Sequence, residues 1–382
     1  MTALTPSEIL RLAPILVMWL AGMAAPLAAQ DELVQSEAEQ AEAIKELESR
    51  RNFVAAPIPI VNPTLGEGLG AIAMYLYKMD EESQSSYTGA GVLYTSSESW
   101  GVGVAQALFF NEDAWKLKAG VAFFDLNLDF FGIGSGAGDQ GISVPVNQKG
   151  WGGGLKALRR IKGHWYAGLK YSYVKIDSTF DLTDPPPGDP IELPPVIELD
   201  SVVAGLGIVG EYDSRDDQFN AYKGNHFEFL WSVADQAVGS DFDFQSVKTS
   251  YNLYRGIGNQ KIIAARFMGC AAPGDAPYYA LCSFGQGVDL RGYVGGRYRD
   301  VMMFATQAEY RWRFYKRWGM VAFAGVGEVA DSLSDFNAQN LLPSVGAGIR
   351  FMLSEDHRLN LSVDWARGMD DDAWYFYVSE SF

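Results

Sequence analysis

Histidine and cysteine are nearly absent from this chain, with three and two copies in 382 residues. His164, His226 and His357 stand far apart, so a histidine-rich metal site lacks clustered ligands and a Ser-His-Asp relay has little support. Neither G-x-S-x-G nor H-E-x-x-H occurs. Gly66-Glu67-Gly68-Leu69-Gly70 and Gly101-Val102-Gly103 are spaced like a dinucleotide fingerprint, but no βαβ pattern surrounds them. The expectation is a protein that is not an enzyme and holds no metal or cofactor. Long apolar runs are missing too. Beyond residue 29 no uncharged apolar stretch reaches the roughly 18 residues a membrane helix needs. That excludes helical spans but not a β-barrel, whose strands alternate lipid-facing and lumen-facing residues. Basic residues are outnumbered, 30 against 47 acidic, for a net charge of −17. Such a chain is a poor partner for nucleic acid, which demands a basic face.

What is present divides the chain in three. Residues 1–29 resemble a secretory signal peptide, with Arg11 ahead of the apolar Leu12–Leu20 and small residues Ala24, Ala25, Ala28 and Ala29 behind it. Residues 30–52 are acidic and lack Gly and Pro; Val34, Ala38, Ala41 and Ile44 recur at helical spacing. This leader reads as a short helix or a disordered segment, with a plug inside a barrel as an alternative. Residues 53–382 form the third part. The two cysteines, Cys270 and Cys282, fall within it, and in an exported chain a loop disulfide is the expected state.

From Phe53 the hydrophobic period is two. Leu359, Leu361, Val363 and Trp365 alternate with Arg358, Asn360, Ser362 and Asp364. Ala308, Tyr310, Trp312 and Phe314 alternate with Gln307, Glu309, Arg311 and Arg313, and Ser344–Phe351 repeats the pattern. Sixteen such segments fall near residues 53–61, 66–78, 86–95, 99–110, 115–130, 149–160, 164–177, 199–213, 223–234, 242–255, 261–270, 301–315, 318–330, 342–353, 357–367 and 373–382. The last is aromatic and runs to Phe382, as a barrel's closing strand would. The longer connections, 131–148, 178–198, 271–300 and 331–341, alternate with tight turns such as Asn111–Ala114, Ile161–Gly163, Gly256–Gln260 and Ser354–Asp356. A soluble β-sandwich shares the composition but has no reason to segregate long loops from short turns. The expected fold is all-β, a sixteen-stranded antiparallel transmembrane barrel of a bacterial outer membrane. The proline run Pro185-Pro186-Pro187-Gly188-Asp189-Pro190 reads as a stiff surface loop.

The longest loop carries Leu290-Arg291-Gly292-Tyr293 just before the twelfth strand. Here the chain resembles the BamA/TamA-type bacterial surface antigen barrels, which place a V-R-G-F/Y motif in the sixth extracellular loop. The resemblance implies that Arg291 folds into the lumen and meets acidic residues, with Glu309 and Asp364 as the candidates. A second match is Asp213-Ser214-Arg215-Asp216 followed by Lys223-Gly224, against a D-x-R-D turn between the eighth and ninth strands. Hydrogen bonds that Asp213 and Asp216 accept from backbone amides and from Arg215 would stabilise this turn without further chemistry. Two departures stand out. Ala221 replaces an expected proline, and Gly325 replaces the acid of an F-x-D-x-G pattern in Phe323–Gly327. Residues 30–52 also leave no room for the periplasmic POTRA modules of assembly factors, so the resemblance covers the barrel alone.

Such barrels are thought to work through a weak seam between first and last strands, and Pro57 and Pro59 would weaken it here. Implied partners are outer-membrane lipid and lipopolysaccharide, with envelope proteins or periplasmic factors as clients of an insertion or export role. The competing expectation is a channel or passive surface barrel, with Arg291 plugging the lumen.

Overall fold

A computed structural model describes residues 52–62, 64–181, 200–258, 260–285, 289–369 and 371–382. The expected signal peptide, nearly all of the leader and the proline-rich loop lie outside the described residues. Strands follow the period-two segments: β1 (Phe53–Asn62), β2 (Gly66–Tyr77), β3 (Ser86–Thr95), β4 (Trp100–Phe110), β5 (Trp115–Phe130), β6 (Val144–Lys162), β7 (Trp165–Phe180), β8 (Asp200–Asp213) and β9 (Gly224–Ala234). Then come β10 (Phe244–Gly256), β11 (Lys261–Ala271), the two-residue β12 (Cys282–Ser283) and β13 (Arg299–Asp300), β14 (Met302–Tyr315), β15 (Trp318–Ala330), β16 (Leu342–Ser354), β17 (Leu359–Arg367) and β18 (Asp372–Val378). All but β12 and β13 close into one sixteen-stranded barrel in which each strand pairs antiparallel with its neighbours. β12 and β13 pair with each other inside the longest loop.

Alternation sorts the side chains. Leu69, Val92, Leu155, Leu169, Ile208 and Ile349 are exposed on the outer wall, as lipid-facing positions are. Aromatic pairs ring the short-turn end, among them Trp165 with Tyr212, Trp312 with Phe314 and Trp318 with Phe351. Inward positions on β14 and β17 are Gln307, Glu309, Arg311, Asn360, Ser362 and Asp364, all buried. On this side of the barrel the lumen is therefore packed. On the long-loop side, Phe284, Leu290, Tyr293 and Tyr298 of the longest loop pack against Met303, Ala305, Val329 and Leu342 of the wall. Cys270 and Cys282 are disulfide-bonded, with Cα atoms 5.8 Å apart, and tie the base of this loop to β11.

Three features differ from the periodicity reading. β6 begins at Val144, not near 149, because Asn147 and Gln148 pair with Asn127 and Leu126 of β5 despite their polarity. The preceding loop holds a short helix, α1 (Ser135–Gln140). β18 ends at Val378 rather than continuing to Phe382. Ser379 adopts φ +97° and turns the chain inward. The last residues then find partners in the lumen: Glu380 pairs with Arg350 at 2.8 Å, and Phe382 packs with Ala221, Tyr254 and Ala264. The same end receives the β8–β9 turn. Gln218 Nε2 donates to the Ser85 carbonyl at 2.7 Å, Phe219 lies 6.0 Å from Tyr87, and Ser379 Oγ donates to the Phe219 carbonyl at 2.7 Å.

Closure is uneven. β1 pairs with β2 at ten positions but with β18 at one, Val61 to Trp374. Every other pair of barrel neighbours shares at least seven positions, the number joining β17 to β18. The Leu76 amide donates to the Asn52 carbonyl in this register. Even-numbered residues of β1 therefore bond toward β2, and odd ones point their backbone groups toward β18. Pro57 and Pro59 are odd. Each removes a donor from the seam and none from the β2 ladder.

Candidate functional site in the lumen

The longest loop descends into the barrel and delivers Arg291 to the wall. Gly292 makes the turn possible: its φ is +100°, and a Cβ there would sit 2.7 Å from the Arg367 carbonyl carbon. The Gly292 amide donates to the Tyr375 hydroxyl at 2.9 Å, Tyr293 donates to the Pro343 carbonyl at 2.6 Å, and Ser344 Oγ donates to the Arg291 carbonyl. Leu290 packs over Gly325 and Gly327, where added Cβ atoms would approach it to 2.9 and 3.1 Å. The glycine at the position of the expected acid thus leaves room for the loop's own leucine.

Arg291 is 1% exposed, and each of its three guanidinium nitrogens has an acceptor. Nη1 lies 2.5 Å from Asp364 Oδ2, Nη2 pairs with Glu309, Nε donates to Gln307 Oε1 at 3.3 Å, and the plane sits 3.5 Å over the Phe323 ring. A fork meeting two carboxylates and an aromatic face is a role lysine cannot fill. Around it, Arg311 reaches Glu309 at 2.7 Å, and Arg350 reaches Asp364 at 2.5 Å and Glu380 at 2.8 Å. Tyr377 donates to Asp364 and Ser381 to Glu309. Three arginines thus face three side-chain carboxylates, and Arg311 Nη2 also donates to Phe382 O at 2.9 Å. Buried charge is tolerated on those terms.

A second network lies nearer the short-turn end. Lys116 bonds Glu211 at 2.6 Å and Asp213 at 2.9 Å, Lys156 bonds Glu228 at 2.5 Å, and Arg215 grips Asp213 through Nε and Nη2, both at 2.9 Å. Glu211, Asp213 and His226 bring their ligand atoms within 4.8 Å of one another. The Lys116 ammonium sits on both carboxylates and Arg215 holds Asp213, so two cations already face the two anions of that trio. Asp216 accepts from the Tyr222 and Lys223 amides and pairs with Arg358 at 2.8 Å, tying this turn to the β16–β17 turn. Burial pushes its carboxyl up, but the Arg358 and amide hydrogen bonds outweigh that and hold it below the ordinary aspartate range. Gly224, at φ +108°, would place a Cβ 2.1 Å from the Ser214 carbonyl.

The structure brings Leu290, Arg291, Gly292, Tyr293, Glu309 and Asp364 into one cluster and places Asp213, Arg215, Asp216 and Gly224 in another. Sequence reasoning missed Arg350, Tyr377, Glu380 and Ser381. Arg350 and Tyr377 carry a lumen-facing signal in their strand alternation. Glu380 and Ser381 carry none, because they lie beyond the strand.

A closed sixteen-stranded antiparallel barrel, with a loop arginine locked to acids on the inner wall, defines a specific class of membrane β-barrel. The model of the Omp85 superfamily domain matches residues 108–382, and the chain belongs to that superfamily. Its barrels are bacterial outer-membrane proteins. Among solved structures, the chain resembles BamA from Haemophilus ducreyi lacking POTRA domains 1–3 (TM-score 0.53, 13% identity, covering 86% of this chain and 70% of that one). It also resembles CdiB from Acinetobacter baumannii (TM-score 0.55, 12% identity, 86% and 59%) and CdiB from Escherichia coli (0.57, 11%, 86% and 62%). At these identities the likeness is one of fold, and the chain spans about three-fifths of either CdiB. No functionally curated protein matches it.

Proposed function

We propose that this barrel assists the insertion or export of envelope proteins in a bacterial outer membrane, working at the seam between β1 and β18 without enzymatic chemistry. The observation that carries this reading is the seam itself, with one paired position where every other junction has seven or more. An unpaired strand edge is a template for another strand. Pro57 and Pro59 keep that edge poor in donors, so opening it breaks few hydrogen bonds. Membership of the Omp85 superfamily supports the same role. Partners on this reading are membrane lipid and lipopolysaccharide, client envelope proteins and periplasmic factors.

The test is deletion of the gene with quantification of the outer-membrane proteome. A defined set of surface proteins is expected to fall and to return with the wild-type gene. A Val61→Cys/Trp374→Cys variant, locked across the seam, is expected to restore it only after reduction; wild type with and without reductant controls for the native disulfide. Full rescue by the oxidised variant would sink the seam mechanism. An unchanged proteome would instead favour a channel. That reading has its own observation: Lys118, on the same inward face of β5 as Lys116, is exposed within the barrel. Bilayer conductance would then decide.

A further inference from the structure

Near the long-loop ends of β5 to β8 the inner wall is apolar. Leu126, Leu128, Val146, Val174, Ile176 and Val203 line a cavity of about 470 Å³ that the longest loop closes from the other side. A lumen wall facing water gains nothing from aliphatic side chains, and barrel interiors are ordinarily polar. The volume falls within the range of small-molecule sites.

The cationic group of this cavity is Arg299, contributed by β13 of the loop; Gln148, which donates to the Tyr278 hydroxyl, and Asp129 also line it. Arg299 is 7% exposed, and it forms no ion pair with any described carboxylate. Its guanidinium lies 5.6 Å from the Phe130 ring and 5.4 Å from the Tyr278 ring, and Nη1 is buried without a hydrogen-bond partner. Nearby acids are engaged elsewhere. Asp300 Oδ1 accepts from the Val301 amide at 2.8 Å, and Asp129 Oδ1 accepts from Ser143 Oγ at 3.1 Å. Burial pulls the guanidinium down to about 10, which still leaves it protonated at neutral pH. Arg291, Arg311, Arg350, Arg215 and Arg297 each hold a carboxylate. Arg299 is a buried cation held by aromatic faces alone, and these offset only part of the cost of its dehydration.

We propose that this cavity binds a single-chain amphiphile with a compact anionic oxygen head, the head on Arg299 and the chain along the aliphatic wall of β5 to β8. A carboxylate and a phosphate monoester offer the same fork-matching oxygens. The site is independent of the seam and of any role in protein assembly.

The test uses the full chain in phosphatidylcholine nanodiscs, with folding verified by heat-modifiable gel mobility. Decanoate, decyl phosphate and uncharged decanol are titrated by calorimetry; decanol reports partitioning into lipid. Wild type is expected to show one saturable site for an anionic probe, and the stronger head distinguishes carboxylate from phosphate. Arg299→Gln is expected to weaken that site at least tenfold, and Val174→Trp, which fills the cavity, to abolish it. Identical isotherms for wild type and both variants would overturn the proposal. Should Arg299→Gln fail to fold, undiminished binding by Val174→Trp alone would overturn it.

Discussion

Replacing Arg291 by Ala removes one of three cations from a buried network and leaves Arg311 and Arg350 against Glu309, Asp364 and Glu380. One negative charge is then uncompensated in a region closed to water. Removing one partner from a buried ion pair typically costs about 3–5 kcal/mol. That cost falls on docking of the longest loop, because the strand ladders of the wall keep all their hydrogen bonds. At about 1.4 kcal/mol per decade, the docked-to-undocked ratio falls by roughly two to three and a half orders of magnitude. Hydrogen exchange followed by mass spectrometry reads this directly. Amides of residues 290–298 are expected to lose protection by about that factor, while those of β14 and β17 keep theirs.

Two companion variants sharpen the test. Adding Asp364→Asn to Arg291→Ala restores a match of two arginines to two side-chain carboxylates, so the pair is expected to cost less than the sum of the singles. Arg291→Lys keeps the charge but reaches only one carboxylate and loses the stack on Phe323, which places it between wild type and Ala. Unchanged loop protection in Arg291→Ala would refute the reasoning, since the loop would then be held by its apolar cluster alone. Loss of protection throughout the barrel would refute its locality.

Cys282→Ser opens the tether at the base of the same loop, twelve residues from Cys270; closing a loop of that size is worth about 3 kcal/mol, so exchange in residues 272–300 is expected to rise with no change in β2 to β10. The Asp216–Arg358 bridge gives an acid limb. Because the folded carboxyl lies below its usual value, its stabilisation is full above about pH 4 and fades as pH falls through the lowered value. Pepsin cleavage within residues 214–223 is expected to accelerate there in wild type and to lose that pH step in Asp216→Asn. Replacing Pro57 and Pro59 with Thr returns two donors to the β18 edge; β1 and β18 amides are expected to gain protection while assembly activity falls, and unchanged exchange would show that the prolines do not weaken the seam.

The strands were legible because one physical rule governs them all. Where a wall separates lipid from lumen, as along β14 and β17, side chains must alternate, and alternation is visible in a single sequence. The loop motif was legible for a related reason: a Gly at φ +100° beside an Arg with two carboxylate partners tolerates few substitutes. What stayed hidden lacks any period. β18 stops because Ser379 reverses φ, and nothing in its aromatic run announces that. Gly325 read as a missing acid, yet it is the space Leu290 occupies, and Asp364 on β17 supplies the second carboxylate instead. The isolation of Arg299 is likewise invisible in sequence, since it depends on where distant acids do not reach.

The lumen network is shared property of the loop and the last residues of the chain. Glu309 holds Arg291 and Ser381 on one oxygen and Arg311 on the other. Arg311 and Arg350 in turn both reach Glu380, at 3.7 and 2.8 Å. Withdrawing the loop removes the Arg291 cation; withdrawing residues 379–382 removes the Glu380 carboxylate and the Phe382 oxygen that accepts from Arg311. Either departure alone leaves buried charge unmatched, whereas both together leave Arg311 and Arg350 with Glu309 and Asp364, two cations to two anions. The electrostatics therefore favour loop and tail leaving or staying as a pair.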